Sequence, residues 1–319
     1  MNSVKASRPL PGIRALVISV VAAAIGYLAF SLWGGWQDVL HALAKVSAGL
    51  LLLLLLLSLL NYGLRFSRWQ HFLGLFGHQV NPIASLRIYL GGFALTTTPG
   101  KAGEALRSIL LLPHGVGYPH SLAALLAERL GDLLAIVLLA SIGLAAYPQG
   151  TFVVMVVAVA LVAALLLMQR HRWLIALDDW LGQRLHGRMG KLLSGLIETV
   201  LHSSRLFTLP LLGYSIVLGL VAWGAEGLAF YYLAQALGAE LSLANAMFIY
   251  AFSMLVGAVS FLPGGLGGAE LTMVALLLLH GMPQGEAVAA TVIIRLATLW
   301  FAVLLGALAL LTGDRPIRE

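Results

Sequence analysis

Cysteine is missing from all 319 residues. Neither a disulfide nor thiolate chemistry can be built, and cysteine usage says nothing of redox compartment. Charge is scarce as well. Asp, Glu, Lys and Arg make up 10% of the chain, against about 25% in a soluble domain. That shortage excludes a water-soluble globule. No Gly-x-Ser-x-Gly occurs, and no Gly-Lys-Ser/Thr follows any glycine-rich stretch, so a serine nucleophile elbow and a nucleotide-binding loop are both excluded. No metal-ligand spacing surrounds His114 or His280, which read as interfacial residues. No loop is long enough for a soluble catalytic domain. What remains is apolar: 60% hydrophobic residues and a mean hydropathy of +0.95. The chain reads as an all-α, polytopic membrane protein. Its net charge of +6 falls mostly in loops beside the membrane, where it sets orientation and implies no nucleic-acid partner.

Two stretches interrupt the apolar runs. Leu262-Pro263-Gly264-Gly265-Leu266-Gly267-Gly268 is followed by Glu270, and Thr98-Pro99-Gly100-Lys101 leads to Glu104. Proline removes a backbone donor and glycine loosens the helix, so each stretch should break a helix at membrane depth. Broken backbone is tolerated there only where protein buries it or water lines it. The two stretches are related. Pro99 to Pro263 is an offset of 164; Glu104 to Glu270, His114 to His280 and Arg129 to Arg295 are each 166. Upstream, Gly63, Leu64 and Phe66 match Gly227, Leu228 and Phe230 at 164. The pattern is an internal duplication, roughly 61–144 against 225–310, within one domain covering 1–319.

The apolar runs predict six full spans, at 13–33, 46–65, 121–147, 151–168, 208–236 and 286–311, plus two broken-helix hairpins at 83–112 and 244–280. The first span resembles a signal anchor but lacks a clear cleavage site, so it is kept as a span. Residues 173–206 carry apolar side chains every three or four positions, from Trp173 to Val200, and predict one amphipathic helix on the cytoplasmic surface. Lys5, Arg8, Arg14, Arg65, Arg68, Arg170, Arg172, Arg315 and Arg318 all fall on the inner side if both termini are cytoplasmic. The first hairpin then opens from the cytoplasm and the second from outside. The duplicated units form an inverted repeat, an architecture recurrent in transporters.

Ionisable residues inside the apolar regions are the candidate site: Lys101, Glu104 and Arg107 in the first hairpin, Glu128, Arg129 and Asp132 in the span after it, and Glu226, Glu270 and Arg295 in the second half. Each is costly in hydrocarbon unless paired or wet. Arg129 and Arg295 follow Glu104 and Glu270 by the same 25 residues. Each Arg either pins its own hairpin's Glu or contacts an anionic head group, for which the planar guanidinium fork is suited. Arg129 and Asp132 can pair locally at i and i+3. Lys101 and Arg107 either guard the hairpin mouth or snorkel to head groups. The glycines of 264–268 act as helix breakers or expose amides to an anion. Asn61, Tyr62 and Arg65 close the second span and are candidates for the same cavity.

Pro99-Gly100-Lys101-Ala102-Gly103-Glu104, Glu128-Arg129 with Asp132, Pro263-Gly264-Gly265-Leu266-Gly267 with Glu270, and Arg295 together resemble the signatures of the lysylphosphatidylglycerol synthase transmembrane-region family. The resemblance covers about 13–312. In bifunctional members this region is the lipid flippase half, and a separate soluble domain transfers the amino acid; the present chain is expected to act without that domain. The resemblance implies a flippase that moves a polar-headed lipid, phospho- or polyprenyl-linked, between leaflets of the bacterial inner membrane. It implies no cofactor. The expected partners are the lipid itself, a lipid-synthesis enzyme and a second copy of the chain. The alternatives are a membrane-embedded transferase acting on a head group, with Glu104 or Asp132 as base, and an accessory subunit of a lipid synthase.

Overall fold

The computed structural model describes residue 26 and residues 36–97, 104–184, 187–260 and 262–312. The expected span at 13–33, the break residues Pro99 and Gly100, Lys101, and the terminal charges Lys5, Arg8, Arg14, Arg315 and Arg318 lie outside the described residues. Those described are helical throughout, with no strand among them. In order the helices are α1 (Trp36–Lys45), α2 (Ala48–Leu75), α3 (Pro82–Phe93), α4 (Leu106–Leu111), α5 (Tyr118–Ser141), α6 (Thr151–Met168), α7 (His171–Arg184), α8 (Arg188–Ser204), α9 (Leu209–Ala236), α10 (Leu243–Val259), α11 (Gly268–Leu279), α12 (Gln284–Arg295) and α13 (Phe301–Leu311). A π-helical turn, Leu296–Trp300, joins α12 to α13 into one long element.

Local chemistry sets the helix starts. The Ser47 hydroxyl accepts the Leu50 amide at α2, Asn81 Oδ1 accepts the amides of Ile83 and Ala84 at α3, and the Ser242 hydroxyl accepts the Asn245 amide at α10. Four elements are long and apolar enough to cross a membrane: Ala48–Leu75, Pro148–Met168, Leu209–Ala236 and Gln284–Leu311. The element Pro148–Met168 is the least covered, with Phe152, Val159 and Leu167 turned outward, as expected of a lipid-facing helix. α5 spans 24 residues and carries Glu128, Arg129 and Asp132 into the interior.

Two sequence expectations are corrected. The second span does not end at Arg65: α2 runs on to Leu75, and Arg65 and Arg68 are buried inside it. Residues 173–206 are not one helix. Gly187 adopts φ 82° between α7 and α8, a conformation that L side chains rarely adopt and that ends helical geometry. α8 also packs against α5, where the Ser203 hydroxyl donates to Ala123 O. The apolar side chains of the predicted stripe, among them Trp173, Leu177, Met189, Leu192 and Leu196, remain exposed.

The halves interlock. α2 lies along α9 in antiparallel fashion, since Arg68 Nη1 donates to Ser215 O and the Arg65 guanidinium lies over Trp223. α5 packs on α10, and α13 packs on α3. The helix that closes each half therefore lies on the hairpin of the other. Gly306 makes the second contact close: a Cβ there would lie 2.6 Å from Leu90 O.

Candidate functional site

The second hairpin is broken where glycine permits it. Gly264, Gly265 and Gly267 have φ of 64°, 71° and 87°, and a Cβ at Gly265 would meet the Gly257 backbone at 3.2 Å. Helix α11 then restarts at Gly268 with Glu270 in its first turn. Glu270 Oε2 accepts the Gly267 amide at 2.7 Å, so this helix start is capped from within by its own carboxylate. Glu270 Oε1 accepts from Arg295 Nε at 2.6 Å, and Arg295 Nη2 donates to Gly264 O at 3.1 Å. One guanidinium thereby holds both ends of the break. The π turn begins immediately after Arg295. Such turns widen the hydrogen-bond ladder and recur at functional positions.

The first hairpin repeats the pairing. Arg129 Nη2 lies 3.1 Å from Glu104 Oε2, and the Thr96 hydroxyl donates to Glu104 Oε1 at 2.9 Å. The second break meets the first hairpin at Thr97: an added Cβ on Gly264 would lie 3.4 Å from Thr97 Cα.

Between them lies a cavity of about 330 Å³. Glu104, Arg129, Asp132, Glu226 and Arg295 line it, as do Tyr62, Arg65, Trp223 and Tyr250. Both halves contribute. Glu270 stands behind Arg295. Glu128 and Arg107 lie behind the wall, fully enclosed.

Sequence reasoning missed the size of the charge cluster behind this wall. Glu128 Oε1 lies 3.1 Å from Arg65 Nη2 and 2.7 Å from Arg129 Nη2; its Oε2 accepts from Arg107 Nη1 at 2.9 Å. Tyr89 Oη donates to it as well, at 2.9 Å. Arg107 thus neither guards the mouth nor snorkels. It is 1% exposed, stacked 4.0 Å over Tyr89. The pairing of Asp132 with Arg129 is also secondary, at 3.8 Å. Asp132 instead receives Arg68, and Arg65 at 3.0 Å, both from α2. Arg68 further donates to Glu128 O and Ser215 O, so it ties α2, α5 and α9 together. Asn61 is buried beside Arg65, 3.4 Å from its Nη1, and Tyr62 donates to Thr298 O in the π turn. On α9, three residues from Trp223, Glu226 accepts from Tyr250 Oη at 2.5 Å. A helical reading could have found Arg65 and Arg68, because Tyr62, Trp69, Phe72 and Leu73 continue the buried face past them. Among the described residues no group of three His, Asp or Glu side chains is placed to hold a metal ion.

Comparison with known proteins agrees with this architecture. The profile of the lysylphosphatidylglycerol synthase TM region matches residues 14–306. A UPF0104 membrane protein of Methanothermobacter thermautotrophicus is 25% identical over 304 residues, covering 88% of both chains. A UPF0104 membrane protein of Pyrococcus horikoshii is 22% identical over 316 residues, covering 89% of this chain and 92% of its own. One from Methanocaldococcus jannaschii is 32% identical over 120 residues, covering 38% of this chain and half of its own. The chain is a multi-pass membrane protein and belongs to the family of the lysylphosphatidylglycerol synthase transmembrane region.

Proposed function

We propose that this protein moves a polar-headed lipid, phospho- or polyprenyl-linked, between the leaflets of the bacterial cytoplasmic membrane by alternating access, without chemically changing it. Both termini lie on the cytoplasmic side in this reading. One observation carries it: a charged cavity sits where the broken second hairpin touches the first at Thr97. Ionisable side chains this deep are costly, and their usual employment is a path for something polar. Antiparallel packing of α2 on α9, the matched elements of the duplication, supports an inverted repeat. Two mirrored halves offer two states of similar energy, one open to each side. The head group would cross through the cavity while its tails stay in lipid. Gly264 against Thr97 forms the thin partition that opens and closes, and Arg295, holding Gly264 O and Glu270, sets its position.

The test is reconstitution in liposomes with head-group-labelled lipids and a membrane-impermeant quencher. The wild-type protein is expected to equilibrate at least one lipid class across the bilayer. Arg129→Ala and Arg295→Ala are each expected to slow that exchange by more than tenfold. Wild-type rates in both variants for every lipid would reject the assigned path.

A further inference from the structure

One wall of the cavity, built by α2, α5 and α9, offers more hydrogen-bond donors than the protein uses. Arg65 and Trp223 line it, 7% and 8% exposed, with the guanidinium 5.4 Å from the indole centroid. Arg65 Nη2 faces Glu128 and Asp132, and Nη1 reaches Asn61. Its Nε has no partner among the described residues; neither has Trp223 Nε1, nor Nε of Arg129 on the same wall. Buried N–H groups are seldom left so. Around this wall four guanidinium groups (Arg65, Arg68, Arg107, Arg129) meet four carboxylates (Glu104, Glu128, Asp132 and Glu226), so the charges balance before any ligand enters. Glu226 lies on α9, where the Tyr250 hydroxyl donates to it.

Unused donors call for a ligand rich in acceptors. A phosphate group brings oxygens alone and suits guanidinium and indole N–H donors. We propose that Arg65, Trp223 and Arg129 form a subsite for the phosphate of the translocated lipid's head group. This rests on the reading of the cavity as a lipid path.

The purified full chain in detergent, titrated calorimetrically, tests it with three probes: dihexanoyl-phosphatidylglycerol, dihexanoylglycerol and inorganic phosphate. The phosphate-bearing lipid is expected to bind at least tenfold more tightly than either other probe. Trp223→Phe keeps a ring under Arg65 but removes the indole N–H, and is expected to weaken that lipid alone by about tenfold, the effect of one charge-assisted hydrogen bond. Arg65→Lys is expected to do the same. Equal affinity for the two lipids, or an unchanged affinity in Trp223→Phe, overturns the subsite; inorganic phosphate bound as tightly as the lipid overturns its assignment to a head group. The liposome assay keeps this apart from the translocation reading. If lipids cross at normal rates but phosphate confers no preference, only the subsite falls. If no lipid crosses, the path itself falls.

Discussion

Glu128 accepts from side chains on four helices, Arg65 of α2, Tyr89 of α3, Arg107 of α4 and Arg129 of its own α5. A carboxylate so placed fixes where those helices meet. Removing its charge leaves buried guanidinium groups without their counter-ion, which costs about 3–5 kcal/mol in such settings. Glu128→Gln is therefore expected to lower the thermal unfolding midpoint in detergent strongly. Lys45→Ala, which removes a pair with Glu286 across 3.5 Å at a half-exposed position, is expected to change stability by under about 1 kcal/mol. The same calorimetric or fluorescence scan reads both. A comparable loss in the two variants would show that the buried cluster is not what holds the helices. Only part of this cluster was legible in the sequence. Glu104–Arg129 and Glu270–Arg295 stand out because the same 25-residue separation recurs at an offset of 166. Arg65 and Arg68 have Ala229 and Tyr232 at offset 164, and Arg107, Glu128 and Asp132 have Met273, Ile294 and Thr298 at 166. Symmetry cannot flag residues that only one half carries. The two α2 arginines were further disguised by their place at the end of an apolar run, where positive charge ordinarily marks a cytoplasmic loop.

Helix contacts are where glycine decides the outcome. At Gly306 the backbones of α13 and α3 approach so closely that a Cβ would overlap Ala94 N and lie 2.6 Å from Leu90 O. Backbone cannot swing aside as a flexible side chain would. Gly306→Ala is expected to part α13 from α3 and to destabilise the protein by several kcal/mol, as overpacking does at its upper end. Gly213→Ala on α9, with nothing within 4 Å, is expected to be neutral or stabilising by up to about 1 kcal/mol through helix propensity. Chemical unfolding of the purified variants checks the sign of each. The breaks behave differently. Gly265 combines a left-handed φ with contact to Gly257, so Gly265→Ala is expected to slow lipid exchange more than tenfold, read in liposomes. An unchanged rate would mean that the turn's shape is irrelevant to transport. Element positions were largely readable, because proline, glycine and run length fix them. The split of 173–206 was not: Gly187 falls within an unbroken apolar stripe, and periodicity alone does not register one residue leaving helical geometry.

At the scale of the molecule, the interlocked packing of α5 on α10 and α13 on α3 gives each half a surface on the other's hairpin. A relative movement of the halves would reshape both hairpins together, which alternating access requires. The chain carries no cysteine, so a single introduced thiol is a clean reporter. Leu133 and Ala258 line the cavity, one from each half. The most direct measurement is labelling of Leu133→Cys and Ala258→Cys in sealed, oriented vesicles, with a membrane-impermeant maleimide added to one side at a time. If the cavity opens alternately to each side, both thiols react from the inside and from the outside, and lipid substrate changes the ratio. Reaction of both thiols from one side only, whatever lipid is present, would contradict a cavity that alternates between leaflets.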